Sequence, residues 1–297
     1  MPELPDVTVY VDALRERVVG QPLSAYAILS PFILRTVDPP LDAAVGRQVG
    51  SVERLGKRIV FGFDGDLSVV IHLMIAGRFR WLEPGSRKKV PARISLARFE
   101  FPTGALVLTE AGTKRRAALH VVAGRAGLQQ FDRGGLEVLD ATTDQFAERL
   151  RRENHTLKRS LTDPRLFSGI GNAYSDEILH RARLSPLMLT TRLSDEDIAR
   201  LFDATRGTLV SWTDRLANER SGGFPEHVTA FREGMAVHGR YGQPCPECGA
   251  PVQRIRYSDN ETNYCARCQT GGRLLADRAM SRLLKQDWPR TLEELEG

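Results

Sequence analysis

The sequence predicts an α+β chain of several domains, with an antiparallel β-sandwich first, helices second and a small cysteine module near the end. Between about residues 23 and 122, short apolar runs are broken by Pro, Gly and Asp. These breaks recur about every ten residues, which is typical of antiparallel sandwiches or barrels. From residue 143 onward the apolar positions recur at helical spacing. A chain of 297 residues is long enough for two separate cores.

One helix is expected before the strands and several after them. In residues 6–19, the side chains of Val7, Val11, Leu14 and Val18 share one helical face, so this helix can flank the sandwich. The later helical segments are 143–153, 155–166, 172–183, 194–218 and a short one near 226–234.

The charge balance permits a nucleic-acid partner without establishing one. Lys and Arg number 42 against 37 Asp and Glu, a net charge of +5 that ordinary surface charge explains equally well. The longest apolar stretch, residues 69–77, is about half a membrane span. The first residues include acids and no apolar signal region. We therefore expect a cytoplasmic protein that is neither secreted nor bound to a membrane.

All four cysteines of the chain lie in two C-x2-C pairs separated by sixteen residues: Cys245, Cys248, Cys265 and Cys268. This spacing is close to that of a tetrahedral zinc module, in which each pair supplies two thiolates. The alternative is two disulfides, but clustered cysteines with none elsewhere favour a metal in a reducing compartment. The sequence therefore predicts one structural Zn²⁺.

The amino terminus offers a candidate nucleophile. Met1 precedes Pro2, and an initiator methionine is normally removed before a residue as small as proline. The exposed secondary amine of Pro2 would have a pKa of about 8, so part of it is neutral at pH 7. Glu3 follows and can act as an acid or a base. The alternative is that Pro2 only stiffens the end of the chain.

Four motifs, in order along the chain, carry a resemblance to a known family. They are P-E-L-P-D-V at residues 2–7, G-K-R at 56–58, G-I-G-N-A-Y at 169–174, and V-H-G-R at 237–240, which leads into the cysteines. Together they resemble the formamidopyrimidine-DNA glycosylase and endonuclease VIII family, and the leucine of the first motif is closer to the formamidopyrimidine branch. The resemblance implies a helix–two-turns–helix domain and a β-hairpin zinc finger behind the sandwich.

That resemblance implies a bifunctional DNA glycosylase and abasic-site lyase of base excision repair. Pro2 would attack C1′ of a damaged nucleotide and form a Schiff base, Glu3 would protonate or stabilise the opening sugar, and Lys57 would contact the phosphate or the lesion. β-Elimination, with or without δ-elimination, would then cut the strand. The implied partner is double-stranded DNA with a damaged base or an abasic site, and the implied protein is a monomer.

The resemblance also implies residues that hold the DNA backbone. Gly171 and Asn172 stand at a helix N-terminus, where exposed amides and the helix dipole favour a phosphate. Lys158 matches a family lysine near the lesion. An ordinary turn with Asn172 as helix cap is the alternative for this segment.

Further residues are expected to fill the gap left by an everted nucleotide. Ile75 falls at the family's wedge position and Met74 lies beside it, and either is apolar enough to enter a base step. Arg115 is the expected inserting arginine of a second loop. The alternative for Met74 and Ile75 is core packing within a strand.

Four departures from the family pattern bear on specificity. Asp6 replaces a more frequent Glu, Ala117 replaces an aromatic residue, and Asn260 stands where an arginine of the finger contacts DNA. Segment 222–239, which in the family caps an oxidised purine, is short. An alternative is therefore a family member that acts mainly on oxidised pyrimidines, abasic sites or bulkier lesions. An alternative of another class is a zinc-finger protein that binds damaged DNA without cutting it.

The expected domain boundaries follow from these motifs and from the change between strand-like and helical spacing of the apolar residues. We expect a catalytic sandwich at 1–124, a Gly-rich linker at 125–141, the helix–two-turns–helix domain at 142–236, the zinc finger at 237–270 and a helical extension at 271–297.

Overall fold

The structure, a computed structural model, describes residues 1–112, 114–226, 228, 231–257, 260–285 and 289–296; for Tyr257, Asn260, 278–280 and Glu296 it describes the backbone alone. The chain divides into two compact units. Unit 1 consists of Met1–Arg133 and Trp212–Thr229, and unit 2 consists of Gly134–Ser211 and Ala230–Gly297. Within the described part of the chain, no helix is both long and apolar enough to cross a membrane.

Unit 1 is an antiparallel β-sandwich with a helix against it. Its helices are α1 (Leu4–Val18) and α2 (Gly124–Gln129), and its strands are β1 (Ala25–Ile28), β2 (Val49–Leu55), β3 (Arg58–Phe63), β4 (Leu67–His72), β5 (Gly77–Leu82), β6 (Ser95–Phe101), β7 (Gly104–Glu110) and β8 (Ala118–Ala123). One sheet has the order β1-β6-β7-β5 and the other β2-β3-β4-β8. Short hairpins join β2 to β3, β3 to β4 and β6 to β7, whereas β1-β6, β7-β5 and β4-β8 pair strands that are farther apart in the sequence.

The sandwich core lies between the two sheets and α1. Inward side chains of both sheets, such as Ile71 and Phe79, are almost fully buried with the apolar face of α1, where Tyr10 contacts Phe79 edge to face. The outward face of β4 is buried as well, because Val70 packs with Leu128 of the segment around α2. This second layer explains why the sequence of β4 is apolar on both faces.

Unit 2 is mainly helical and contains a two-stranded β-hairpin close to the four cysteines. Its elements are α3 (Thr143–Arg151), α4 (Leu157–Thr162), α5 (Asn172–Arg181), the first part of α6 (Asp195–Glu219), β9 (Val252–Tyr257), β10 (Asn260–Cys265), α7 (Ala266–Thr270), α8 (Arg278–Leu284) and α9 (Leu292–Glu296). Helices α4 and α5 and the turns between them form the helix–two-turns–helix motif. The C-terminal segment folds back onto the hairpin, since Leu274 and Leu292 complete its small core.

The structure differs from the sequence-based elements in two places. The stretch expected as a linker, 125–141, begins within α2, because its apolar residues cover the outer face of a sheet. The short helix expected near 226–234 is absent from the described residues of that segment. For Met74 and Ile75 the expected loop agrees with the structure and the alternative of a strand does not, because β4 ends at His72. Of the expected finger turn at 258–261, residues 258 and 259 lie outside the described residues.

Candidate active site, metal centre and nucleic-acid interface

The amino terminus is fixed by the first turn of α1. Glu3 is the residue that precedes the helix, and its backbone N–H donates to Oδ2 of Asp6 at 2.9 Å. Pro2 is buried, and Glu3 and Asp6 are each only 2% exposed. Asp6 therefore stabilises the helix start that presents Pro2 and Glu3.

Buried charges surround the α-amine at the head of the chain, that of Met1, one residue ahead of Pro2. Burial lowers the pKa of this amine below its usual value of 8.0. The charges of Arg78 and Lys57 also lower it, while Glu3 and Asp6 oppose the change. The environment at the amino terminus thus shifts an amine toward its neutral, nucleophilic form.

Lys57 occupies the tip of the tight β2–β3 hairpin. Leu55 pairs with Arg58, which leaves Gly56 and Lys57 as the two turn residues. Gly56 has a φ of +61°, a left-handed conformation that suits glycine at the first position of such turns. The turn fixes Lys57 close enough to the amino terminus for its charge to act on the amine.

His72, at the end of β4, is a neutral neighbour of Lys57. Burial lowers the pKa of His72 to about 4, with smaller contributions from nearby cations that include Lys57. Its Nδ1 accepts a hydrogen bond from the N–H of Met74 at 3.0 Å, so the ring proton lies on Nε2. His72 thereby orders the start of the loop that follows.

In the loop between β4 and β5, Met74 and Ile75 have different environments. The N–H of Gly77 donates to the carbonyl of Leu73 at 2.9 Å, which closes a tight turn. A Cβ at Gly77 would lie 2.2 Å from that carbonyl oxygen, so the turn requires glycine. Met74 is half-buried with a left-handed φ of +53°, whereas Ile75 is 59% exposed at the tip. Neither residue lies in a strand.

Arg78, the second residue of β5, stabilises this loop. Its guanidinium donates to the carbonyls of Ile75 at 3.0 Å and Gly77 at 2.6 Å, and also to the carbonyl of Val228. A planar guanidinium can hold several acceptors in a fixed geometry. One side chain therefore joins the loop that carries Ile75 to the segment around Val228 and adds positive charge near the amino terminus.

A second loop of unit 1 is organised by the buried carboxylate of Glu110. The backbone N–H groups of Arg116 and Ala117 donate to it at 3.0–3.1 Å. Arg115 is exposed and donates to the carbonyl of Arg93. Ala117, the second of the departures noted in the sequence, is 3% exposed and belongs to the sandwich core.

In unit 2, Lys158 belongs to a buried ionic network. Its Nζ lies 2.5 Å from Oδ1 of Asp176 and 2.6 Å from the carbonyl of Asn172. The other carboxylate oxygen of Asp176 is 2.8 Å from Nδ1 of His238. The side chain of Asp176 is fully buried and that of Lys158 is 12% exposed. Two of the three ammonium hydrogens of Lys158 are thus used to fix the start of α5.

Gly171 and Asn172 lie at that helix start, as the sequence predicts. Gly171 is the residue before α5, and the side-chain amide of Asn172 donates to the carbonyl of Glu261 in β10 at 2.9 Å. Asn260 pairs with Tyr257 as the first pair of the β9–β10 hairpin. The structure therefore places the backbone of Asn260 at the hairpin tip, one residue from the contact of Asn172.

A second buried acid of α5 fixes the segment that leads into the finger. The carboxylate of Glu177 accepts three backbone N–H groups, from Ala236, Val237 and His238, at 2.7–2.9 Å. Burial raises the pKa of Glu177, and these three hydrogen bonds oppose that rise. This carboxylate acts as a cap for three successive amides and holds the V-H-G-R motif against α5.

The four cysteines form a zinc site. The sulfur atoms of Cys245, Cys248, Cys265 and Cys268 lie within 4.8 Å of one another. The Sγ atoms of Cys248 and Cys265 are 3.4 Å apart, and those of Cys245 and Cys268 are 3.9 Å apart. With Zn–S bonds of about 2.3 Å, a regular tetrahedron has S–S edges of about 3.8 Å, so the sulfurs fit Zn²⁺. The site is structural, because all four positions are filled by protein ligands.

The candidate residues fall into one group in each unit. Unit 1 contains Pro2, Glu3, Lys57, Met74, Ile75 and Arg115, and unit 2 contains Lys158, Gly171, Asn172, Asn260 and the four cysteines. Sequence reasoning missed Arg78, His72, Glu110, Asp176 and His238. The available signal was position: His72 and Arg78 border an expected wedge loop, and Asp176 follows the helix-start motif by a few residues.

Comparisons with known proteins agree with this architecture. Residues 1–118 match the Formamidopyrimidine-DNA glycosylase N-terminal domain, residues 136–213 the Formamidopyrimidine-DNA glycosylase H2TH domain, and residues 242–271 the Zinc finger found in FPG and IleRS. The chain is 32% identical over 281 residues to the formamidopyrimidine-DNA glycosylase of Heliobacterium modesticaldum, covering 91% of this chain and 100% of that protein.

Two solved structures are similar as well. The MutM (Fpg) protein of Thermus thermophilus has a TM-score of 0.75 and 31% identity, with 90% of this chain and 98% of that chain covered. Lactococcus lactis Fpg, in a complex with DNA that contains an abasic site, has a TM-score of 0.78 and 23% identity over 90% of this chain and 99% of that chain. This chain belongs to the formamidopyrimidine-DNA glycosylase family of DNA repair, whose members act on damaged bases.

Proposed function

We propose that this chain is a bifunctional DNA glycosylase and abasic-site lyase that uses the amine of Pro2 as its nucleophile. The observation that carries the proposal is the buried amino terminus, where burial and two cations lower the pKa of the Met1 α-amine, one residue ahead of Pro2 and near the buried Glu3. A neutral amine next to an acid is the arrangement that Schiff-base chemistry requires. Family membership adds support.

The chemistry follows from those groups. The lone pair of Pro2 attacks C1′ of the damaged nucleotide, the base leaves with a proton, and Glu3 protonates the ring oxygen as the sugar opens to an iminium. The iminium acidifies the C2′ proton, so its loss expels the 3′ phosphate. A second elimination expels the 5′ phosphate, and hydrolysis releases the amine. Lys57 contacts a phosphate or the lesion beside the nucleophile.

DNA recognition is assigned to the remaining residues of each unit. Ile75 is the wedge rather than Met74, because it is the exposed apolar side chain at the loop tip. Arg115 is exposed on the second loop and enters the duplex beside it. These proposals concern unit 1 alone.

In unit 2 the start of α5 binds backbone phosphate through its amides, with Gly171 and Asn172 at the contact. Lys158 fixes this start through its ion pair with Asp176, and Asn260 reaches DNA from the hairpin tip. The partner would be double-stranded DNA with a damaged base or an abasic site, bound by a monomer in the cytoplasm. The Lactococcus lactis complex supports an abasic partner.

A second candidate has the same chemistry but prefers oxidised pyrimidines, abasic sites or bulkier lesions. Phe224 and Val228, in the short 222–239 segment, pack against the sandwich core. Glu226 lies 3.4 Å from Lys88 and 3.7 Å from Arg80. A segment held in this way is less free to close over an everted purine, which favours substrates that need no such cap.

Borohydride trapping tests the proposal. Protein with Met1 removed, verified by intact mass, is incubated with duplexes that carry 8-oxoguanine, formamidopyrimidine, thymine glycol, dihydrouracil or an abasic site. We expect a covalent adduct on Pro2. Trapping should be weakened or abolished in Pro2→Gly, and the adduct on Pro2 should be lost in protein that retains Met1, because its Pro2 nitrogen is an amide. Pro40→Gly, at an exposed turn, is the control and should trap normally.

The same panel separates the alternatives. An adduct mapped to a lysine would refute Pro2 as the nucleophile, and binding without any adduct would identify a non-catalytic zinc-finger protein. Excision of pyrimidine lesions with weak excision of 8-oxoguanine would select the second candidate.

A further inference from the structure

A histidine of helix α5 contacts one of the zinc ligands. Nε2 of His180 lies 3.2 Å from Sγ of Cys245, although the two residues are 65 positions apart in the sequence. Both are buried, with His180 5% and Cys245 2% exposed. The contact is therefore shielded from water, and the low local dielectric constant strengthens its hydrogen bond.

The chemistry of the metal-bound state fixes the direction of this hydrogen bond. A cysteine that binds zinc is a thiolate and has no proton, so the imidazole must donate Nε2–H to Sγ of Cys245. Four thiolates around one Zn²⁺ leave an excess of two negative charges. An N–H donor offsets part of that charge and orients its ligand.

The same region of α5 is tied to the zinc module at other points. The side chain of Gln269, in α7, accepts from the N–H of Cys265 at 2.8 Å and donates to the carbonyl of Leu184 at 2.9 Å. At the opposite end of α5, Asn172 donates to the carbonyl of Glu261. Helix α5 is thus tied to the module near both of its ends, and of these three contacts the one made by His180 reaches the sulfur atom of a metal ligand.

We propose that His180 is a positioning residue of the zinc centre, a hydrogen-bond donor outside the coordination sphere that stabilises the Cys245 thiolate and couples metal loading to helix α5. The inference goes beyond the proposed reaction, because it holds whether or not the chain cleaves DNA. Its consequence is that zinc orders the helix whose N-terminus carries Gly171 and Asn172.

The first test uses the wild-type protein loaded with ¹¹³Cd²⁺ in place of zinc. Nitrogen-15 NMR of the histidines should show Nε2 of His180 carrying a slowly exchanging proton with a measurable coupling to ¹¹³Cd through the sulfur. An unprotonated Nε2 in the loaded protein would overturn the proposal without any substitution.

The second test compares variants by chelator competition. His180→Phe keeps a ring but loses the donor, and its zinc affinity should fall about 10- to 100-fold, the usual cost of losing such a partner. His180→Gln retains an N–H donor and should recover most of that affinity. His155→Phe is the control, since His155 contacts Glu153 and not the cysteines.

Amide hydrogen exchange measures the coupling between zinc binding and the stability of helix α5. Removal of zinc from the wild type should accelerate amide exchange in α5, and His180→Phe with zinc bound should show part of that acceleration. Equal zinc affinity of His180→Phe and His155→Phe would refute the proposal. Amide exchange in α5 that is the same with and without zinc would refute it too.

Discussion

The two units differ in how they treat buried ionisable groups: unit 2 pairs their charges, whereas in unit 1 burial disfavours the charge of an amine. In unit 2, Asp176 has one oxygen on Lys158 and the other on His238, and Glu177 accepts three backbone amides. In unit 1, burial outweighs the two acids near the amino terminus, and the pKa of the α-amine is lowered. The first arrangement stabilises charges and rigidifies the helix start. The second disfavours the charged form of an amine, which is what a nucleophile needs.

Substitution of Asp176 should have the largest effect. Asp176→Ala leaves the ammonium of Lys158 buried without its partner, and loss of one member of a buried pair costs about 3–5 kcal/mol of stability. Chemical denaturation followed by signals of unit 2 measures this loss. Glu148→Ala, which removes an exposed partner of Arg152, is the control and should cost less than about 0.5 kcal/mol. Equal losses in the two variants would show that the network is not stabilising.

Truncation of the proposed wedge should reduce activity and spare the fold. Ile75→Ala removes an apolar side chain that is exposed in the free protein, so stability should hardly change. Burial of such a side chain between bases is worth about 1.5–3 kcal/mol, so single-turnover excision from duplex DNA should fall about tenfold or more. Leu29→Ala, at a similarly exposed residue, is the control. Unchanged excision would remove Ile75 from the mechanism.

The smallest expected effect is a shift of the pH profile. The charge of Arg78 lowers the pKa of the Met1 amine, and we expect it to act in the same direction on the amine of Pro2 once Met1 is removed, so Arg78→Gln should raise the pKa of Pro2. Less amine is then neutral at a given pH, and the rising limb of abasic-site cleavage moves to higher pH. Arg78→Lys keeps the charge and should keep the profile, although it loosens the 73–77 loop. Arg80→Gln, two residues along β5, is the control. If Arg78→Gln and Arg80→Gln had the same pH profile, the expected effect of the Arg78 charge on the amine would be contradicted.

Sequence reasoning predicted the elements whose signals are local. The sandwich, the zinc site and the helix start at Asn172 were confirmed, because alternation, C-x2-C spacing and glycine turns act over a few residues. It misjudged the stretch after β8, where α2 is short and covers a sheet. Leu73–Ala76 are as apolar as the strand before them, so the sequence left a loop and a strand open there, and the structure has the loop. The proposed roles of the individual site residues stay predictions.

The sequence by itself determined the family, the zinc ligands and the presence of Pro2 and Glu3 at the amino terminus, since each depends on neighbours in the chain. The tertiary structure decided which polar side chains meet: Asp176 with His238 across 62 positions, His180 with Cys245 across 65, and Arg78 with Val228 across 150. Buried polar groups must find partners wherever the folded backbone supplies them. That requirement is global, so no local pattern contains it.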